Sequence, residues 1–101
     1  MSLIDIENEQ FRRDILSLLQ QDADYALNDG ILQSALTQIG SPIAYDRLQI
    51  QLAWLAEQGL VTLDKLPGTT VAKLTVRGED VALGRSMVPG VKRMRPGGYG
   101  S

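Results

Sequence analysis

Apolar side chains recur along this chain at spacings of three and four in three successive stretches, and the pattern then switches to alternation. In the first stretch Ile4, Phe11, Ile15, Leu18 and Leu19 keep a helical period, while Glu7, Glu9, Arg12, Arg13 and Asp14 lie off the stripe. This predicts a helix from Ser2 to Gln21. Ser2 and Asp5 have the spacing of a capping box, with Asp in place of the usual Glu. Asp22-Ala23-Asp24 ends the element, and Tyr25-Ala26-Leu27 reads as a short strand. Asn28 is a good N-cap for a second helix, and Asp29 in its first turn suits the positive helix start. Ile31, Leu32, Ala35, Leu36 and Ile39 supply the buried stripe of that helix until Gly40-Ser41-Pro42 breaks it, and Ile43 plugs the turn that follows.

In the third stretch Tyr45, Leu48, Leu52 and Leu55 line one face of a helix running from near Ala44 to Gln58. Ser41 as cap with Pro42 at the first helical position is an alternative start. Gly59 can close the helix in the left-handed conformation. Leu60 to Leu66 then reads as a strand, Pro67-Gly68-Thr69-Thr70 as a turn, and Val71 to Arg77 as a second strand. Proline presets the first central φ of a type II turn, and glycine tolerates the positive second one. Ala72, Leu74 and Val76 alternate inward, leaving Val71, Lys73, Thr75 and Arg77 on the other face. Gly78-Glu79-Asp80 starts a short fourth helix carrying Val81, Ala82 and Leu83.

A helix leading straight into a hairpin is how a winged helix-turn-helix domain is built. The expected fold is therefore α+β, mainly α: a three-helix core, a two-stranded β-hairpin wing and a short C-terminal helix. From Ser86 the chain turns rich in Pro, Gly and cations. The expectation is a winged helix-turn-helix domain over 1–85 and a flexible basic tail over 86–101.

Composition narrows the chemistry. With 101 residues, 44% hydrophobic and 22% charged, the chain fits one soluble globular domain. It has no Cys and no His, which removes disulfides, thiolate chemistry, imidazole bases and the usual zinc sites. No cofactor and no metal are expected. No apolar run has the length of a membrane span and no secretion-type leader opens the sequence, so no membrane partner and a cytoplasmic location are expected. The net charge of −2 is unevenly spread. Residues 1–70 hold four Lys and Arg against ten Asp and Glu, giving −6, whereas residues 71–101 hold six against two, giving +4. A basic final third on an acidic body suggests an interaction arm.

A DNA-reading winged helix places the outer face of its third helix in the major groove and its wing on the backbone. Arg47, Gln49 and Gln51 can hydrogen-bond base edges, since Arg pairs with guanine and Gln with adenine. Asp46 and Glu57 on the same side would repel phosphates, an unfavourable footprint. Ile50 and Trp54, four residues apart, form a candidate partner-binding stripe, unless Trp54 tucks against the hairpin and completes the core. Lys65, Lys73 and Arg77, with Thr69 and Thr70 at the wing tip, are candidate phosphate contacts; a solvated polar face is the plainer reading. Arg85, Lys92, Arg93 and Arg95 form the densest positive cluster, suited to a DNA backbone or an acidic protein surface, or simply to solubility. No phosphate-cradling loop, nucleophile elbow or activating His or Cys occurs, and an enzyme is not expected.

Trp54-Leu55-Ala56-Glu57-Gln58-Gly59-Leu60-Val61 resembles the helix-to-wing junction of ArsR- and MarR-like regulators. Leu74-Thr75-Val76-Arg77-Gly78-Glu79-Asp80-Val81-Ala82 resembles their passage from strand to last helix. The ending Gly84-Arg85-Ser86-Met87-Val88-Pro89-Gly90-Val91-Lys92-Arg93, with Leu52-Ala53-Trp54-Leu55, is similar to a small winged-helix family of Mu-like phages and prophages. The resemblance implies a phage setting and carries over no catalytic or metal residue. It leads to the expectation of a DNA-binding regulator, acting as a homodimer through the first and fourth helices. The rival is a protein-contact module in phage assembly or DNA packaging, with a phage protein as partner and no sequence-specific DNA binding.

Overall fold

A computed structural model describes residues 1–94 and shows four helices and one three-stranded antiparallel sheet among them. Helix α1 (Leu3–Gln21) starts where expected, with Ser2 and Asp5 closing a reciprocal capping box. Strand β1 (Ala26–Asn28) leads into α2 (Asp29–Gln38), whose N-cap Asn28 accepts from the Ile31 N–H. Helix α3 (Tyr45–Glu57) begins after Ala44 without a side-chain cap, so the alternative start at Ser41-Pro42 is not used. Strands β2 (Val61–Leu66) and β3 (Thr69–Leu74) form the hairpin, joined by Pro67 and Gly68 alone, with Gly68 at φ +76°.

Two boundaries differ from the sequence reading. Strand β3 includes Thr69 and Thr70 and stops at Leu74, because Thr75 caps α4 (Val76–Ala82) by accepting from the Gly78 N–H. Arg77 therefore sits on a helix, not on the wing. The hairpin is also not alone, since β1 pairs along the other edge of β3 to give the order β1-β3-β2.

The core lies where the three long helices meet the sheet. Ile15, Leu16 and Leu19 of α1, Leu32 and Leu36 of α2, Leu48, Leu52 and Leu55 of α3, then Leu60 and Ala72, have no exposed surface. Each such large aliphatic side chain contributes about 1.5–3 kcal/mol by leaving water. The expected stripe of α1 extends too far, however. Ile4 is 63% exposed, because the helix finds partners on α3 only from Glu7 onward. Ile31 and Ile39, expected in the stripe of α2, are likewise exposed.

The segment after α4 departs most from expectation. Residues 86–94, expected as the start of a mobile tail, lie against the body as a strap. Val88 and Val91 are buried, the Lys92 N–H donates to Glu9 O, and the Gly90 carbonyl accepts from Arg12 Nη1. Two valines and these bonds supply the burial that composition did not suggest. Residues 95–101 lie outside the described residues.

Candidate functional site on the third helix

Helix α3 shows two contrasting sides. The inner one is polar as well as apolar. Leu48, Leu52 and Leu55 are joined in burial by Gln51, which is 1% exposed. Its Oε1 accepts from Arg12 Nε at 2.8 Å and its Nε2 donates to Asn8 Oδ1 at 2.9 Å, so both ends of the amide are satisfied. Arg47 joins the same network. It donates to Asn8 Oδ1 at 3.0 Å and to Glu7 Oε1 at 3.3 Å, and its guanidinium lies 4.8 Å from the centre of the Phe11 ring. The helix is thus stitched to α1 by the residues singled out for reading bases.

Gln49 is held from another direction. Its Nε2 donates to Asp29 Oδ2 at 2.9 Å, as does the Tyr45 hydroxyl at 2.8 Å, while Thr69 Oγ1 donates to Asp29 Oδ1 at 3.1 Å. Asp29 is 4% exposed and joins the start of α2, the start of α3 and the hairpin tip. Burial alone would raise its pKa, but hydrogen bonds from Tyr45, Gln49, Thr69 and the Gly30 N–H outweigh that and hold it below its ordinary value. The same hydrogen bond, with desolvation and nearby acids, raises the Tyr45 hydroxyl. Sequence reasoning assigned Asp29 only to the helix dipole. The signal it missed is the side-chain donors Tyr45, Gln49 and Thr69, 16 to 40 residues away.

Trp54 is half-buried and packs against the core. Arg12 lies 3.9 Å above its ring, and the strap closes beside it at Gly90. Gly90 sits at φ +99°, and a Cβ there would fall 2.6 Å from Trp54 Cζ2. A side chain at this position would push the strap off the indole. Desolvation lowers the Arg12 pKa, with Glu9 and Asp5 opposing.

Tyr45, expected on the inner face, is 47% exposed at the start of α3; beyond it the helix leaves Asp46, Ile50, Ala53 and Glu57 in solvent, at spacings of four, three and four. Ile50 is 63% exposed. This stripe holds an acid at each end, an apolar middle and no cation.

The remaining candidates are scattered. Lys65 and Lys73 are both exposed, but on opposite faces of the sheet, since Lys65 pairs with Thr70 and Lys73 with Thr62. Thr70 is buried. Arg77 is exposed on α4, and Arg85 pairs with Asp80 at 3.5 Å. Lys92 Nζ donates to Gln10 Oε1 at 3.0 Å, and Arg93 is exposed beside it on the strap. Arg95 lies outside the described residues. The structure therefore does not bring Arg47, Gln49, Gln51 and the hairpin cations onto one surface. Among the described residues no group of three or more His, Cys, Asp or Glu could hold a metal ion, and no helix is long and apolar enough to cross a membrane.

Comparison with known proteins places this geometry. No protein-family model matches the chain. Over 92 residues, 91% of this chain and 95% of the relative, it is 47% identical to gp26 of Escherichia phage Mu, described as an uncharacterized protein. Over 78 residues, 76% of each, it is 35% identical to an uncharacterized protein of Haemophilus influenzae. Among solved structures it resembles RosR of H. salinarum, with a TM-score of 0.61 and 26% identity over 71% of this chain. The match covers 62–64% of the RosR chains, two of which were solved as complexes.

Proposed function

The chain belongs to the same Mu-like phage family as gp26, and from that premise we propose that it is a winged helix-turn-helix module whose third helix docks a protein rather than reading bases. The observation that carries this reading is the outer stripe Asp46-Ile50-Ala53-Glu57. A helix entering the major groove presents donors to bases and cations to phosphates. Here the outer stripe has neither, and Arg47, Gln49 and Gln51 are hydrogen-bonded to α1 and Asp29. An exposed Ile between two carboxylates suits a protein surface with an apolar pocket and a cationic rim.

A second reading, a DNA-binding regulator of the ArsR/MarR-like kind acting as a homodimer, has support from the likeness to RosR and from Lys65 and Lys73 on the hairpin. Titration of the full chain with mixed-sequence duplex DNA across a salt series separates the two. The docking reading expects no binding at low salt, and in addition that Ile50→Arg gains affinity for DNA no better than any added surface cation. Steeply salt-dependent binding of the native chain, weakened by Arg47→Ala, would establish the DNA reading in its place.

A further inference from the structure

We propose that the partner docked by α3 is a second copy of this chain, received in the groove between α4 and the strap. The inference rests on the docking reading above and names its occupant. The strap and α4 line an open groove of about 380 Å³ whose apolar lining includes Val81, Met87, Val88, Val91 and Met94. Met87 is 68% exposed, and Lys92 and Arg93 stand at the rim. Methionine adapts its shape to an incoming side chain better than branched residues do.

The two surfaces are complementary in both respects that matter. One is a convex helix face with an isoleucine knob and acids at each end; the other is a concave apolar groove edged by cations. Their residues are disjoint, so one copy can offer its α3 while receiving another in its groove. Asp46 and Glu57 are eleven residues apart, roughly 16 Å along the helix. Ile50 and Ala53 lie between them, near the middle of that length. Contact between unlike surfaces is heterologous: it closes as a reciprocal pair or a ring, or runs on as a filament. Opposite charge at the rim sets partner choice and association rate, while the apolar centre supplies most of the attraction.

The test uses charge reversal on the full chain, read by light scattering and sedimentation velocity. The native protein is expected to associate with rising concentration, and more weakly as salt rises. One variant carries Asp46→Lys with Glu57→Lys, the other Lys92→Glu with Arg93→Glu. Each alone should be monomeric where the native chain associates, and an equal mixture of the two should regain the native mass. All six positions touched by these reversals and by Ile50 and Met87 are exposed, so the fold is not at stake. A native chain that stays monomeric at every concentration overturns the proposal, as do reversed variants that associate like the native one or fail to rescue each other. A monomer that also ignores duplex DNA removes the self-partner alone and leaves the docking reading standing. A monomer that binds DNA in an Arg47-dependent way removes both.

Discussion

The two sides of α3 carry similar inventories and have opposite fates. Inward, Leu48, Leu52 and Leu55 share their surface with Gln51 and Arg47; outward, Ile50 and Ala53 share theirs with Asp46 and Glu57. Both mix aliphatic and polar groups, so hydropathy alone does not separate them. The difference lies in what stands opposite. The amide of Gln51 meets a donor on Arg12 and an acceptor on Asn8, and so is buried with little loss. Among the described residues the carboxylates of Asp46 and Glu57 form no ion pair, and both residues are exposed. Polar residues on α3 thus fasten the helix inside and define its chemistry outside.

The largest effect expected from probing this contrast is at Leu52. It has no exposed surface, and Leu52→Ala should cost about 2–5 kcal/mol through lost burial and the cavity left behind. Ile50→Ala, two residues earlier, should change stability by no more than about 0.5 kcal/mol. Denaturant unfolding of the two variants reads the gap directly. Equal losses would mean that the outer stripe is covered in the folded monomer.

Next comes Gln51→Ala, which leaves the Arg12 guanidinium without one acceptor and Asn8 without one donor in a buried setting. A loss of about 1–3 kcal/mol is expected. Because Arg12 also holds the Gly90 carbonyl and covers the indole, the emission of Trp54, the chain's single Trp, should move to longer wavelength before global unfolding. An unmoved spectrum with the same stability loss would separate the strap from this network.

Asp29→Asn probes the junction of α3 with the hairpin and is expected to cost about 1–2 kcal/mol at neutral pH. The folded pKa of Asp29 is depressed, so its contribution is fully present above the unfolded value of about 3.9 and is lost as pH falls through the folded one. The native and variant unfolding curves should therefore differ near pH 7 and converge in acid. A gap that persists well below pH 3 would assign the loss to shape rather than charge.

These contacts mark the limit of what the sequence discloses. Local signals were legible: the Ser2–Asp5 capping box, the Asn28 cap and the Pro67-Gly68 turn each act within four residues. Gln51 was placed outward on chemistry, although its position is only about 60° round the helix from Leu48, as near to it as Tyr45 on the other side. The strap was read as loose because of its Pro, Gly and basic content. Its anchors on Glu9, Gln10 and Arg12 lie about 80 residues away in the chain, beyond any local pattern. The split of Lys65 and Lys73 to opposite faces follows from the hairpin pairing, Lys65 with Thr70 and Lys73 with Thr62, and a turn one pair longer would give the same split.

The smallest effect, and the most discriminating, is expected for Arg47→Ala. Its partner Glu7 is exposed and the pair is partly solvated, so the ion pair itself is worth about 1 kcal/mol at most. Truncation also uncovers the Phe11 ring and leaves Asn8 with Gln51 as its remaining side-chain donor. A small drop in Tm that shrinks as salt rises is the expected result, with no change in affinity for any duplex. Were Arg47 a reader of bases, the same substitution would leave Tm nearly unchanged and cost about 1–3 kcal/mol of discrimination at one base position. The two outcomes differ in which measurement moves, so a single variant decides whether this arginine faces inward in function as it does in the structure.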